Sequence, residues 1–521
     1  MTGGTPYYLT TPIFYVNDAP HIGHAYVMAA CDALARFMRL DGRKVHFLTG
    51  TDEHGQKVEK SARAVGEEPI AFCDRVSQNF RDVARLMNIS NDDFIRTTEP
   101  RHIHACQALW RAIAAGKSPK GRENIYLGKY AGWYAVRDEA FYDEKELTVG
   151  ADGKKRAPSG AEVEWVEEPS YFFRLSDWQD WLLQYYRAHD LIAPPARRNE
   201  IVSFVTGGLH DLSVSRTSFT WGVPVPDDPK HIMYVWFDAL TNYISAIGYP
   251  DVEGDAFKSF WPADLHLVGK DIIRFHCVYW PAFLEAAGLA PPKRVFAHGW
   301  WTVEGEKMSK SLGNVISPKE LVDQYGLDPV RYFVLRELPF GSDGDFSRRA
   351  MINRINADLA NGLGNLAQRV LMLVNKNCGG RVPKHGQRTV AENTFSAAVR
   401  ALRDTVRTYF EEQAFHRALE AIWDVIARAD RYIDEQAPWA LRKSDPERME
   451  TVLYCLADSL RQVGILVQPV MPSAAEKLLD QLGIPRDLEH RNLVALGLYP
   501  LEPGAVLPAP QAIFPRYVES K

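Results

Sequence analysis

The stretch YYLTTPIFYVNDAPHIGHAYVMAACDALARFMRLDGRKVHFLTG, residues 7–50, sets the architecture. Tyr7 to Thr11 are aromatic and β-branched residues suited to a buried strand. From His24 the period changes, with Val27, Cys31, Leu34 and Met38 recurring at spacings of four, three and four, as on one face of a helix. Asp41-Gly42 interrupts that pattern, and Lys44 to Gly50 begins a second strand. Strand, helix and strand make one βαβ unit, whose right-handed crossover leaves the strands parallel. Leu265–Val268, the turn Gly269-Lys270-Asp271 and a helix predicted over Ile272 to Ala287 repeat the grammar, and Val295–His298 supplies another strand. The expectation is a doubly wound α/β core that binds its ligand beyond the carboxyl ends of the strands.

Outward from that core the composition changes twice. Residues 116–220 are rich in glycine, lysine and aromatics, and read as an inserted domain. Beyond Met351 three apolar stripes follow at helical spacing: Ile352 to Leu373, Phe415 to Ile433 and Met449 to Val467. Serial amphipathic helices imply a bundle. The 521 residues suit three to four domains at about 150 residues each. With 61 Lys+Arg against 66 Asp+Glu, the net charge of −5 excludes a uniformly polycationic nucleic-acid binder but leaves room for local basic patches. The six cysteines are scattered with no CxxC, which argues against a disulfide scaffold and for a reducing compartment. No basic-then-apolar leader and no run of 18 apolar residues is present, so a cytoplasmic protein without a membrane span is expected.

Two short motifs carry chemistry. His21-Ile22-Gly23-His24 falls between the first strand and the first helix, where backbone N–H groups and the helix dipole favour an anion. Two imidazoles there can donate hydrogen bonds to phosphoryl oxygens, and Gly23 leaves space for close approach. A capping turn that happens to hold two histidines accounts for the motif equally well. A zinc site does not, since no cysteine or third histidine stands at ligand spacing. Lys307-Met308-Ser309-Lys310-Ser311 lies between a turn after the last core strand and a helix start at Ser317-Pro318-Lys319-Glu320. Lysines beside small hydroxyl residues suit a polyphosphate that is gripped and released; a solvated basic loop is the plainer reading.

Together, HIGH after the first strand and KMSKS after the last are the marks of class I aminoacyl-tRNA synthetases. Over nearly its whole length the chain resembles the methionyl-tRNA synthetases. The resemblance rests on Thr10-Thr11-Pro12-Ile13-Phe14-Tyr15-Val16-Asn17, Gly50-Thr51-Asp52-Glu53-His54-Gly55, Tyr234-Val235-Trp236-Phe237-Asp238-Ala239-Leu240, Gly269-Lys270-Asp271-Ile272-Ile273-Arg274-Phe275-His276 and Asp434-Glu435-Gln436-Ala437-Pro438-Trp439. It implies a Rossmann-like doubly wound parallel-sheet catalytic domain in two halves (1–115 and 221–300) around an inserted connective domain (116–220). A stem-contact region with the KMSKS loop (301–350) follows, then an all-α helical-bundle anticodon-binding domain with a C-terminal tail (351–521).

The resemblance further implies ATP-dependent ligation of L-methionine to methionine tRNA through a methionyl-adenylate, with Mg²⁺ accompanying ATP. His21, His24, Lys307 and Lys310 would be catalytic, and Gly23 and Ser309 would join them around ATP. Asp52 would take the methionine ammonium. Pro12, Ile13, Tyr15, Trp236, Ala239, Leu240, Tyr243, Ile272, Phe275 and His276 would enclose the thioether, each aromatic–sulfur contact being worth about 0.3–1.5 kcal/mol. Helical spacing alone assigns Trp236, Leu240 and Tyr243 to the core face of a helix. Trp439, after Pro438, would stack an anticodon base, with Asn365 and Arg369 reading edges.

Where many relatives carry a Cys-x-x-Cys zinc knuckle, this sequence has Ala135 and Asp138, so no structural zinc is expected. The sequence ends soon after the bundle, and a monomer is expected. A non-catalytic RNA-binding paralogue, or an adenylyl-transferring enzyme that serves another acceptor, are the competing readings. The intact histidine and lysine pairs argue against the first, and the anticodon-type bundle against the second.

Overall fold

The computed structural model describes residues 4–16, 19–138, 140–150, 152–303, 306–307 and 314–518. The chain lays down strand β1 (Pro6–Thr10), the short β2 (Phe14–Tyr15), helix α1 (Ile22–Leu40), β3 (Lys44–Asp52), β4 (Asp93–Arg96) and helix α2 (Pro100–Ala115). A long antiparallel pair, β5 (Ile125–Ala135) and β6 (Glu164–Phe173), then leaves the core. The chain returns through β7 (Ile192–Ala193), helix α3 (Val235–Ser245), β8 (Leu265–Gly269) and β9 (Val295–His298). The central sheet runs β7-β9-β8-β1-β3-β2 with β4 also on β3, and every pairing is parallel.

Alternation along the strands builds a core on each face. Leu9 and Phe47 point toward α1, whereas Tyr8 and Leu48 point toward α2 and α3. Helix α1 is buried on more than the one stripe its spacing suggests. Ala25, Ala29, Ala30 and Ala33 are fully buried because the helix is covered on both sides. The predicted helix over Ile272 to Ala287 is instead a short 3₁₀ turn, a π-helical segment at Phe275–Tyr279 and an α-helix at Trp280–Ala286. Pro281 lacks the N–H that a regular helix would donate backward, and the wider π turn precedes it.

After helix α4 (Leu327–Arg336), a π-helical run over Ile355–Gly364 leads into α5 (Asn365–Asn377), α6 (Val390–Glu411), α7 (Phe415–Gln436), α8 (Pro438–Ser444) and α9 (Pro446–Val467). Helix α9 lies at the centre of this bundle and is buried nearly all round. One apolar core runs from α1 into the bundle without a break.

A buried ion pair crosses that junction. Arg331 of α4 donates to the Asp32 carboxylate of α1 at 2.6 Å, to the Met87 carbonyl, and to the carbonyls of Pro469 and Val470 beyond α9. Both side chains are fully buried. Burial alone would raise the Asp32 carboxyl, but Arg331, Arg36 and Ser90 hold it below the ordinary carboxylate range. Removing one partner of such a pair costs about 3–5 kcal/mol. Asp32→Asn is therefore expected to lower stability by that amount in urea unfolding at pH 7. Because the folded pKa is depressed, the wild-type advantage is complete above the ordinary Asp pKa of about 3.9 and fades as pH falls toward the folded value. A constant gap across pH would contradict an ionised Asp32.

Candidate active site

A cavity of about 480 Å³ opens at the carboxyl ends of β1 and β3. Three walls bring distant residues together. Pro12, Ile13, Phe14 and Tyr15 come from the segment after β1; Asp52 ends β3; and Trp236 and Ile272 face them from α3 and the turn after β8. His21, Gly23 and His24 form the fourth side, at the start of α1.

The two histidines cap the helix reciprocally. His21 Nδ1 accepts the Gly23 N–H at 3.0 Å, and His24 Nδ1 accepts the His21 N–H at 3.1 Å. With both Nδ1 atoms accepting, each neutral ring carries its proton on Nε2, which fixes two N–H donors beside the helix N-terminus. The rings stand 4.0 Å apart, and Phe14 and Phe80 meet the His24 ring edge to face. Burial, with His21 beside it, pushes the His24 imidazole well below the ordinary histidine range, so it stays neutral at physiological pH. A Cβ at Gly23 would come within 2.8 Å of His21 Cε1. Glycine there clears the His21 ring as well as the cavity.

The substrate wall divides into a lining and a backing. Trp236 stacks on Phe275 at 3.8 Å between ring centroids. Ala239, Leu240, Tyr243, Phe275 and His276 stand behind this lining rather than on the cavity surface. Tyr243 donates its hydroxyl to His276 Nε2 at 2.7 Å, while His276 Nδ1 donates to the Ile272 carbonyl at 2.9 Å. Burial brings the His276 pKa to about 4, so it serves as a neutral bridge that holds Ile272 in the wall.

Of the lysine motif, the structure describes the backbone of Lys307. It pairs with Thr302 in a hairpin that begins at Trp301, itself a cavity residue. Ser309 and Lys310 lie outside the described residues. The return from this loop is tied to the histidine helix, since the Ile22 N–H donates to the Ile316 carbonyl at 3.0 Å. A helix starts at Pro318 as predicted, although Ser317 makes no side-chain cap.

Several cavity residues were not anticipated: Lys57, whose ammonium lies 5.0 Å from the Tyr15 ring centre, Arg137 and Asp138 from the end of β5, Asp271, and His298 to Trp301. His298 ends a core strand, so the carboxyl-end rule carried its signal. Nothing in the spacing of Arg137 marked it.

Behind the cavity lies a network that the sequence reading also missed. The Asp238 carboxylate on α3 bridges His54 Nδ1 and His102 Nε2, each at 2.7 Å, and all three side chains are buried. His102 also reaches Ser245, and the Tyr15 hydroxyl donates to the His54 carbonyl. Burial alone would raise the Asp238 carboxyl, but the flanking imidazoles hold it far below the usual range. With Cys106, His102 and Asp238 present metal-type donors within 4.8 Å of one another. The 2.7 Å His102–Asp238 contact is a hydrogen bond, however, shorter than the roughly 3.3 Å between two ligands of one tetrahedral ion. The network ties Trp236, two residues from Asp238, to Asp52, two residues from His54. Asp238→Asn is expected to raise the KM for a small substrate held between Trp236 and Asp52 by about 10–10²-fold, with the KM for a second substrate beside the histidine pair unchanged. An equal rise in both would reduce the network to general support of the fold.

In the bundle, Ala437 takes a left-handed conformation (φ 43°) between α7 and α8, and Pro438 begins α8. Trp439 is 50% exposed, so ordinary core packing does not account for it. Asn365 is exposed on α5, and Arg369 is held by Asp430 and Asp434 at 3.3 and 2.6 Å.

A neutral pair of imidazole donors at the first helix of a doubly wound sheet, facing a carboxylate and an aromatic wall, defines an enzyme built to activate a small acid with a nucleotide. Profiles of known families agree: "tRNA synthetases class I (M)" matches residues 7–371, and "Anticodon binding domain of methionyl tRNA ligase" matches 382–521. The chain is 58% identical to the methionine–tRNA ligase of Mesorhizobium japonicum over 515 residues, covering 98% of each, and 57% identical to that of Brucella suis. It superposes with a TM-score of 0.95 on Mycobacterium tuberculosis methionyl-tRNA synthetase in complex with methionyl-adenylate, at 51% identity, covering 98% of this chain and 100% of that one. The apo form of the same enzyme gives 0.89. The chain belongs to the methionyl family of class I tRNA synthetases.

Proposed function

We propose that the protein joins L-methionine to the 3′ end of initiator and elongator methionine tRNAs in two steps. First, the methionine carboxylate attacks the α-phosphate of MgATP, giving methionyl-adenylate and pyrophosphate. Then the 2′-hydroxyl of the terminal adenosine attacks the activated carbonyl, releasing AMP. Asp52 would pair with the ammonium while Ile13, Tyr15, Trp236 and Ile272 enclose the thioether. His21 and His24 would donate from Nε2 to the α-phosphoryl oxygens, whose charge grows in the transition state. Lys307 and Lys310 would hold the β- and γ-phosphates. The reciprocal capping of His21 and His24 carries this reading, because it fixes both donors before ATP arrives.

Asn365, Arg369, Pro438 and Trp439 would form the anticodon surface. An exposed tryptophan, and a guanidinium oriented by two carboxylates of which Asp434 lies five residues before that tryptophan in sequence, support that assignment. We place the domain limits at 115, 220, 300 and 350. A metal-free insert is supported by its chemistry: the Asp138 carboxylate is engaged by Tyr142 and Ser159, and Ala135 packs against Ala157 and Ala161. Among the described residues no helix is long and apolar enough to cross a membrane. A cytoplasmic monomer is the state we assign.

Methionine-dependent exchange of labelled pyrophosphate into ATP, followed by tRNA charging, tests the proposal. No exchange would leave an RNA-binding paralogue. Exchange without charging would point to a different acceptor.

A further inference from the structure

A second, smaller cavity of about 130 Å³ lies in the bundle, where α6 and α9 meet the short helix α10 (Ala495–Leu498). Its lining is cationic: Arg388 just ahead of α6, Arg400 on α6 and Arg461 on α9 stand against one carboxylate, Asp458. That carboxylate is already engaged. Asp458 Oδ1 accepts from Arg461 Nε at 2.7 Å, and Oδ2 accepts from the Gln462 amide at 2.9 Å.

Arg461 is buried to 1% exposure, and its remaining bonds go to the Ala495 and Leu496 carbonyls, so it is a fixed part of the floor. Among the described residues, neither Arg388 nor Arg400 forms an ion pair. Ser396 adds a hydroxyl to the lining, whereas the Ser459 hydroxyl is already given to the Leu456 carbonyl at 2.7 Å. Three guanidiniums against one carboxylate leave two positive charges around a space large enough to admit a tetrahedral oxyanion. Arginine forks and hydroxyls are the donors that a phosphate group takes.

We infer that this cavity binds a phosphate-class oxyanion, either a free phosphate or one backbone phosphate of an RNA. The site is separate from the adenylate cavity and does not depend on the catalytic reading; only its RNA source rests on tRNA being a substrate.

The full-length protein is titrated with inorganic phosphate in a calorimeter at constant ionic strength, beside the double variant Arg388→Gln/Arg400→Gln. One phosphate site in the wild type, weakened about tenfold or more in the variant and partly restored by Arg388→Lys/Arg400→Lys, is the expected result. Pyrophosphate exchange should be equal in all three proteins, which shows that each is folded. In parallel, methionine tRNA binding is measured against salt. A log–log slope shallower by about 1–2 in the glutamine variant identifies the occupant as a backbone phosphate; an unchanged slope with phosphate binding lost identifies a free anion. If phosphate binds equally to the wild type and the glutamine variant, or to neither with the slope unchanged, the inference is overturned.

Discussion

His24→Ala is expected to slow methionyl-adenylate formation by about 10²–10³-fold, the cost of one preorganised donor to a developing oxyanion, or about 2.7–4 kcal/mol. The loss falls on the rate of pyrophosphate exchange at saturating substrate, because the donor bonds most strongly to charge that appears only in the transition state. Methionine KM is expected to stay near the wild-type value, since His24 starts α1 and is not among the residues proposed to enclose the thioether. The pH profile adds a second check. Burial keeps His24 neutral well below the ordinary histidine pKa, so the wild-type rate carries no inflection from this group near pH 6.5. A rate that breaks at pH 6.5 and loses the break in His24→Ala would contradict a neutral donor.

Trp439→Ala is expected to separate the two half-reactions. A base stacked on an aromatic ring is worth about 1–3 kcal/mol, so charging at subsaturating tRNA falls by roughly 5–150-fold. Exchange, which needs no tRNA, stays within about twofold of wild type. The half-exposed ring has little core packing to lose, so the melting temperature barely moves. Equal losses in charging and exchange would place the anticodon surface elsewhere.

The α/β core was legible because one stretch contains the whole βαβ unit, with its breaker at Asp41-Gly42, where Gly42 does take a left-handed φ of 80°. The bundle was legible from its stripes, but these understate α9. Val452, Tyr454, Cys455 and Ala457 point in different directions and are all buried, because other helices cover that one on every side. At the site, HIGH and Asp52 were readable as local motifs. The His54–Asp238–His102 network was not, since its members lie 184 and 136 residues apart and only the fold brings them together. Periodicity likewise could not tell Trp236, which lines the cavity, from Leu240 and Tyr243 on the same helix, which stand behind it.

The Arg331 guanidinium is anchored to three parts of the chain at once: α1 of the nucleotide core, the Met87 turn, and the segment after α9. A hinge at this junction would have to expose a buried charge, so thermal bending there is suppressed. The nucleotide core and the bundle are thus pinned to each other at this junction, like the beam of a calliper. If Trp439 takes the anticodon as proposed, an RNA has to match a fixed gauge by its own curvature, and one whose two ends do not span it gains only half of the available grip.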